Sequence, residues 1–170
     1  MKLLAREIPS SLRCWLFLFL IASMTSACAT GKPYQRAEHE AIEVSGASVV
    51  SKSSVPPRVL GGGLAEVQIL LDKSNGLSSA ALSHVIAAEG WSVPEHQHQE
   101  ADEILFILEG GGELTLKGKK IETKAGDAVF IPRSSLHSFI AGPQGIKALQ
   151  VYAPGGPEQR FLKAPLKTAD

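Results

Sequence analysis

From residue 58 onward, apolar residues fall in short runs that alternate with single polar positions, and no stretch of ten or more residues holds a helical period. The runs Glu66–Leu71, Ala81–Ala88, Glu103–Leu108, Glu113–Leu116, Lys120–Thr123, Ala128–Ile131, Leu136–Ala141 and Ile146–Tyr152 are rich in Val, Ile, Leu and Phe. Each is bounded by Gly, Pro, Asn or charged residues, as strands are. Gly76, Gly90, Gly110–Gly112, Gly118, Gly126, Gly142 and Gly145 punctuate them. Leu114–Ile121 reads as a hairpin with Gly118 at a turn position that needs positive φ. This density of short strands predicts an all-β sandwich or barrel.

The N-terminal third has a different texture. Lys2, Arg6 and Arg13 precede the apolar stretch Cys14–Ala22, which is shorter than the roughly 20 residues of a membrane-spanning helix. That pattern predicts an export signal over residues 1–27. The small residues Ala27-Cys28-Ala29 allow cleavage after Ala29. The run Thr25-Ser26-Ala27-Cys28 resembles a bacterial lipoprotein signal, which implies lipidation of Cys28, anchorage to a membrane and residence in the cell envelope or periplasm. Thr25 departs from that pattern, which usually has Leu. An uncleaved anchor is the remaining alternative. Residues 28–57 are dominated by Ser, Gly and Pro and read as a flexible tether, with Val49–Val55 as an alternative edge strand. The barrel is expected over 58–155 and a C-terminal extension over 156–170.

Composition narrows the function classes. The 170 residues are 44% hydrophobic and 20% charged, which suits a folded domain rather than a disordered chain. The 17 basic and 17 acidic residues cancel, so no basic surface invites nucleic acid. Removing residues 1–27 takes away three basic residues and one acidic residue, leaving −2. Two Cys cannot build a disulfide framework.

The chemistry concentrates in His96-Gln97-His98 and Glu103. Imidazoles at i and i+2 share one face of an extended strand, a spacing from which both can reach one cation. A turn over residues 99–102 would return Glu103 to the same place. His137 sits in the apolar run Leu136–Ile140, where an unpartnered ring costs about 1–3 kcal/mol. The plainer reading is a solvated turn, given Glu95, Gln97, Gln99, Glu100 and Asp102 nearby.

The spacing Gly90-x5-His96-x-His98-x4-Glu103-x6-Gly110, followed by Gly126-x5-Pro132 and His137, resembles the two signature motifs of the cupin superfamily, of the small single-domain, conserved-barrel kind. Ser134 stands where that family usually has Gly, and Ala141 where it usually has Asn. The resemblance covers about residues 60–155. It implies a jelly-roll barrel, a double-stranded β-helix, holding one divalent transition metal (Fe, Mn, Zn, Cu or Ni). His96, His98, Glu103 and His137 would be the ligands, with one or two coordination positions open. Asp102 is the rival carboxylate. His84 and Phe139 are candidate pocket residues, the plainer reading being a packed or surface side chain for His84 and a core one for Phe139. Arg133 is the candidate anchor at the mouth, its plainer state being a solvated loop residue. Gly61–Gly63 is not a phosphate loop, because no Lys-Ser/Thr follows.

Two functions follow from that resemblance. One is an enzyme, of dioxygenase or isomerase type, acting on a small oxygen-rich organic molecule, with Glu103 as a candidate base. The other is a non-catalytic module that binds a small ligand or metal. A homodimer is also implied, and Pro154–Pro157 with Phe161-Leu162 would be free to extend across such a partner.

Overall fold

The computed structural model describes residues 47–168. The expected export signal, Cys28 and most of the tether lie outside the described residues. Eight antiparallel strands form the fold: β1 Arg58–Leu60, β2 Ala65–Leu71, β3 Ala81–Ala87, β4 Ser92–His96, β5 Asp102–Leu116, β6 Lys119–Lys124, β7 Ala128–Ile131 and β8 His137–Ala153. The order β1-β2-β3-β8-β5-β6 is completed by β4 on β8 and β7 on β5. The architecture is the all-β jelly roll that the strand pattern and the resemblance together led one to expect.

Two strands are longer than the apolar runs suggested. The expected breaks at Gly110–Gly112 and Gly142–Gly145 are bends inside β5 and β8, not loops. The reason is pairing. Residues 102–107 of β5 pair with 148–153 of β8, and residues 112–116 pair with 137–141, so one pair of strands serves both walls. β1, β2, β3 and β7 complete one wall, and β4 and β6 the other. At the bend the two backbones nearly touch. A Cβ on Gly110 would overlap the Gly145 carbonyl, and one on Gly111 the Thr123 carbonyl. The register shifts there, as it does at a bulge that turns a strand from one sheet into another. The β5–β6 hairpin closes through Lys117 and Gly118, both at positive φ, as the sequence indicates.

Alternation decides what faces inward. On β5 and β8, Ile107, Leu114, Phe139, Ala141, Ile146 and Ala148 are buried in one cluster. Each large member contributes about 1.5–3 kcal/mol by leaving water. Outward, Ile104, Phe106, Leu108 and Phe130 remain exposed on the first wall.

Two segments flank the barrel. Val49–Val55 does not form an edge strand. Lys52–Ser54 is a single 3-10 turn, and the Gln68 side chain donates to the carbonyls of Lys52 (3.0 Å) and Val55. Pro56 and Pro57 lack the N–H groups a ladder needs, so the edge strand begins only at Arg58. The C-terminal residues pack back onto their own barrel. Pro157–Lys163 is a 3-10 segment that folds back and buries Phe161 against Val67, Ala101 and Tyr152. Leu166 bridges to Arg58. Among the described residues, no helix is long and apolar enough to cross a membrane.

Candidate metal centre

His96 is the last residue of β4 and is paired with His137, the first residue of β8. The chain then leaves the strand, so His98 comes from the loop before β5 rather than from the expected extended strand. Glu103 is the second residue of β5, pointing inward beside Tyr152. The side chains of His96, His98, Glu103 and His137 converge, and one ligand atom from each lies within 4.8 Å of all the others. Their ring centroids are 4.2 Å (His96–His137), 4.9 Å (His96–His98) and 5.4 Å (His98–His137) apart.

The ring orientations fix the tautomers. His96 Nδ1 donates to the Pro94 carbonyl at 2.8 Å, and His137 Nδ1 donates to the Ser135 carbonyl at 2.8 Å. A carbonyl only accepts, so Nδ1 carries the proton in both rings and Nε2 of the neutral ring carries a lone pair. His96 Nε2 is buried without a hydrogen-bond partner, and His137 Nε2 faces only the Glu103 carboxylate. A lone pair held out of water is costly unless a proton or a cation takes it. This is the arrangement in which a backbone carbonyl orients a metal-ligating imidazole. His98 Nε2 lies 3.1 Å and His137 Nε2 3.3 Å from Glu103 Oε2. The donor set of imidazoles and one carboxylate suits a divalent transition metal.

Glu103 is almost wholly buried, and burial alone pushes its carboxyl pKa up. Hydrogen bonds from His137, His98 and Gln150 outweigh that and hold it down to about 2. Gln150, inward on β8, donates to Glu103 Oε1 at 2.7 Å. A carboxylate so strongly held ionised is a good ligand and a poor proton acceptor, because a general base works best with a pKa near the working pH. This argues against the expected base role of Glu103. Burial lowers the His96 pKa, with the Pro94 carbonyl opposing it. For His137 burial also lowers it, but the Glu103 carboxylate and the Ser135 carbonyl raise it by more.

Asp102, the rival carboxylate, faces outward from the same strand. It accepts from the backbone N–H of Arg133 at 2.8 Å and from its guanidinium at 2.9 Å. That pair commits Arg133 as well, so the expected mouth arginine is not a free anchor. Ser134 adopts positive φ at the position where Gly was expected. Its N–H donates to the His98 carbonyl at 2.7 Å, which ties the loop before β8 to the loop carrying His98.

A cavity of about 290 Å³ opens beside the cluster, lined by His96, Glu103 and His137 and otherwise mostly by apolar side chains such as Val67, Leu105, Leu114 and Phe139. Phe139 lies on the wall of this cavity. His84 does not, because its neighbour Val85 takes the inward position on β3. The outward His84 is buried, and burial together with Lys52 and Lys147 lowers its pKa.

Gln150, Trp91 and Arg160 are lining residues that the sequence did not single out. Gln150 and Trp91 carry no spacing signal. Arg160 lies beyond the expected barrel, and only the folding back of the C-terminal segment brings it to the cavity.

Comparison with known proteins agrees with the fold. Residues 83–156 match the family model described as the cupin domain. The chain is 32% identical over 102 residues to the tetracenomycin polyketide synthase protein TcmJ of Streptomyces glaucescens, covering 59% of this chain and 68% of that protein. Among solved structures, a predicted oxalate decarboxylase of Thermotoga maritima superposes with a TM-score of 0.56 at 30% identity, covering 63% of this chain and 99% of that one. The polyketide cyclase RemF of Streptomyces resistomycificus gives 0.57 at 25% identity, covering 73% and 86%.

Proposed function

The chain belongs to the cupin family, and on that premise we propose that it is a metal-dependent enzyme acting on a small oxygen-bearing organic molecule. The observation that carries this is the convergence of His96, His98, Glu103 and His137 on one end of an apolar cavity, with His96 Nε2 buried and unpartnered. A divalent ion bound there would supply Lewis-acid or redox chemistry to an oxygen of the ligand.

The chain's own residues perform the rest. His96, His98, Glu103 and His137 hold the ion. Gln150 keeps Glu103 in place. Leu105, Leu114 and Phe139 exclude water from the carbon skeleton. Similarity to a polyketide cyclase and to a polyketide synthase protein supports an oxygen-rich, enolisable substrate and a reaction of isomerase, cyclase or oxygenase type.

One observation favours a second reading, a ligand-binding module without turnover. Outside the cluster, the polar side chains of the cavity are Ser92, Gln150 and Arg160, none of which exchanges a proton near neutral pH. Turnover separates the two readings. The full chain, loaded in turn with Fe, Mn, Zn, Cu and Ni, is assayed against phenolic, keto-acid and sugar substrates, with His137→Ala as the control. Product formed by the loaded chain and lost in the variant supports the enzyme. Ligand binding with no product in any combination supports the module.

We also propose that residues 1–27 export the chain and that Cys28 carries a lipid, from the charged start, the short apolar run and the small residues before Cys28. Metabolic labelling with an alkyne fatty acid tests this. A label lost in Cys28→Ser supports lipidation, and an unlabelled exported chain contradicts it.

A further inference from the structure

Arg160 is the one cation on the wall of the cavity that holds the cluster, among the described residues. It also lines an outer groove formed by residues 97–101, Pro154–Pro157 and Lys163, so it stands where the cavity meets that groove. Its guanidinium carbon lies 4.6 Å from the Phe161 ring centroid and 5.7 Å from that of Tyr152. Its Nη2 donates to the Tyr152 hydroxyl at 3.0 Å. The Tyr152 ring in turn packs edge-on against His98, 5.0 Å between centroids.

An arginine at a cavity mouth is often no more than a solvated side chain. Two features separate this one from that case. First, it is held: two aromatic rings and a hydroxyl fix its plane, so little side-chain entropy remains to be lost when a ligand arrives. Second, it is not neutralised. Arg133 is paired with Asp102, and Arg58 donates to the carbonyls of Leu162 (3.0 Å) and Ala164 (2.8 Å). No described carboxylate lies within ion-pair distance of Arg160. The nearest acid in sequence, Glu158, is buried and accepts instead from the Gly156 N–H and the Gln159 side chain. A guanidinium has five N–H donors, and here a single one meets a protein acceptor.

We propose that Arg160 anchors a carboxylate group of the molecule the cavity takes, by a charge-assisted, two-pronged contact, so that the carbon skeleton lies along the apolar wall and its far end approaches the His/Glu cluster. The inference rests on the reading that the cavity accepts a small organic ligand, and it narrows that ligand to an organic acid. Two-pronged contact between arginine and carboxylate is both stronger and more directional than the same contact with a neutral amide.

Isothermal titration of the full-length chain tests this with benzoate and hexanoate against their neutral counterparts, benzamide and hexanamide. The metal-free protein is used first, so that direct binding of a carboxylate to an ion plays no part. The wild-type chain is expected to prefer the acids by about tenfold or more, with the preference shrinking as salt rises. Arg160→Gln should abolish the preference while amide binding stays put. Arg160→Lys should keep part of it, and Arg133→Gln all of it. Equal binding of acid and amide by the wild type, or failure to bind either, would overturn the proposal without recourse to any variant. So would an unchanged preference in Arg160→Gln. Elemental analysis of the same preparations keeps the two readings apart. A chain that binds no metal yet shows the Arg160-dependent preference refutes the metal enzyme and leaves the anchor standing.

Discussion

His96 and His137 face each other across the β4–β8 ladder with ring centroids 4.2 Å apart, and each donates Nδ1–H to a carbonyl two residues earlier in its own chain. The two loops thus use the same device to turn Nε2 inward. Pro94 and Ser135 supply only backbone oxygen, so the tautomer is set by local chain geometry and not by a further side chain.

Gln150 is the side chain that positions the carboxylate. Its amide donates to Glu103 Oε1 at 2.7 Å, leaving Oε2 toward the imidazoles. Gln150→Leu should therefore leave the fold intact and weaken metal affinity by about 10–100-fold. Competition with a chelator of known affinity measures it. An unchanged affinity would remove Gln150 from the site.

Ser134 holds φ at 57°, a conformation that costs a side chain about 1–2 kcal/mol. Its side chain is exposed. Ser134→Gly should accordingly raise stability by about 1 kcal/mol in urea unfolding and leave metal content unchanged. A loss of stability would mean that the contact of its hydroxyl with Gln99 outweighs the strain.

The pH dependence of the metal-free chain follows from Glu103. Its pKa is held down from 4.5 to about 2, so the stability it contributes is complete above about 4.5 and is lost as pH falls toward 2. The size is about 3 kcal/mol. His96 and His137 are shifted in opposite directions and act nearer neutrality; Asp102 is also held down, by Arg133, but lies nearer the surface, so most of the acid limb belongs to Glu103. Urea unfolding between pH 5 and pH 2 should show that limb, and Glu103→Gln should flatten it.

Phe161 seals the barrel from outside the run of strands. It is buried against Val67, Ala101 and Tyr152 and stacks under Arg160. Phe161→Ala should cost about 3–5 kcal/mol. A cost below about 1 kcal/mol, read from urea midpoints, would show that the C-terminal segment is dispensable to the fold.

Alternation of apolar residues was enough to place most strands, because a half-buried strand writes its period into the sequence. The spacing around His96, His98 and Glu103 was enough to suggest the cluster. Continuity was not legible. Gly110, Gly111, Gly112 and Gly145 look like loop residues, yet a Cβ on any of them would overlap the carbonyl of a neighbouring strand. His98 lies beyond the strand that carries His96, which a period-two pattern cannot reveal. Arg160 and Gln150 reach the cavity through tertiary folding alone. The side a residue faces also escaped: His84 and Val85 are equally apolar in context, and only the register of β3 against β8 puts Val85 inside.

Elemental analysis of the full-length chain, purified without added metal beside His96→Ala, Glu103→Ala and His137→Ala, tests the central claim most directly. About one equivalent of a divalent transition metal in the wild type, lost in all three variants with circular dichroism unchanged, is the predicted result. A wild-type chain that stays metal-free even after reconstitution, or variants that retain the metal, would contradict it.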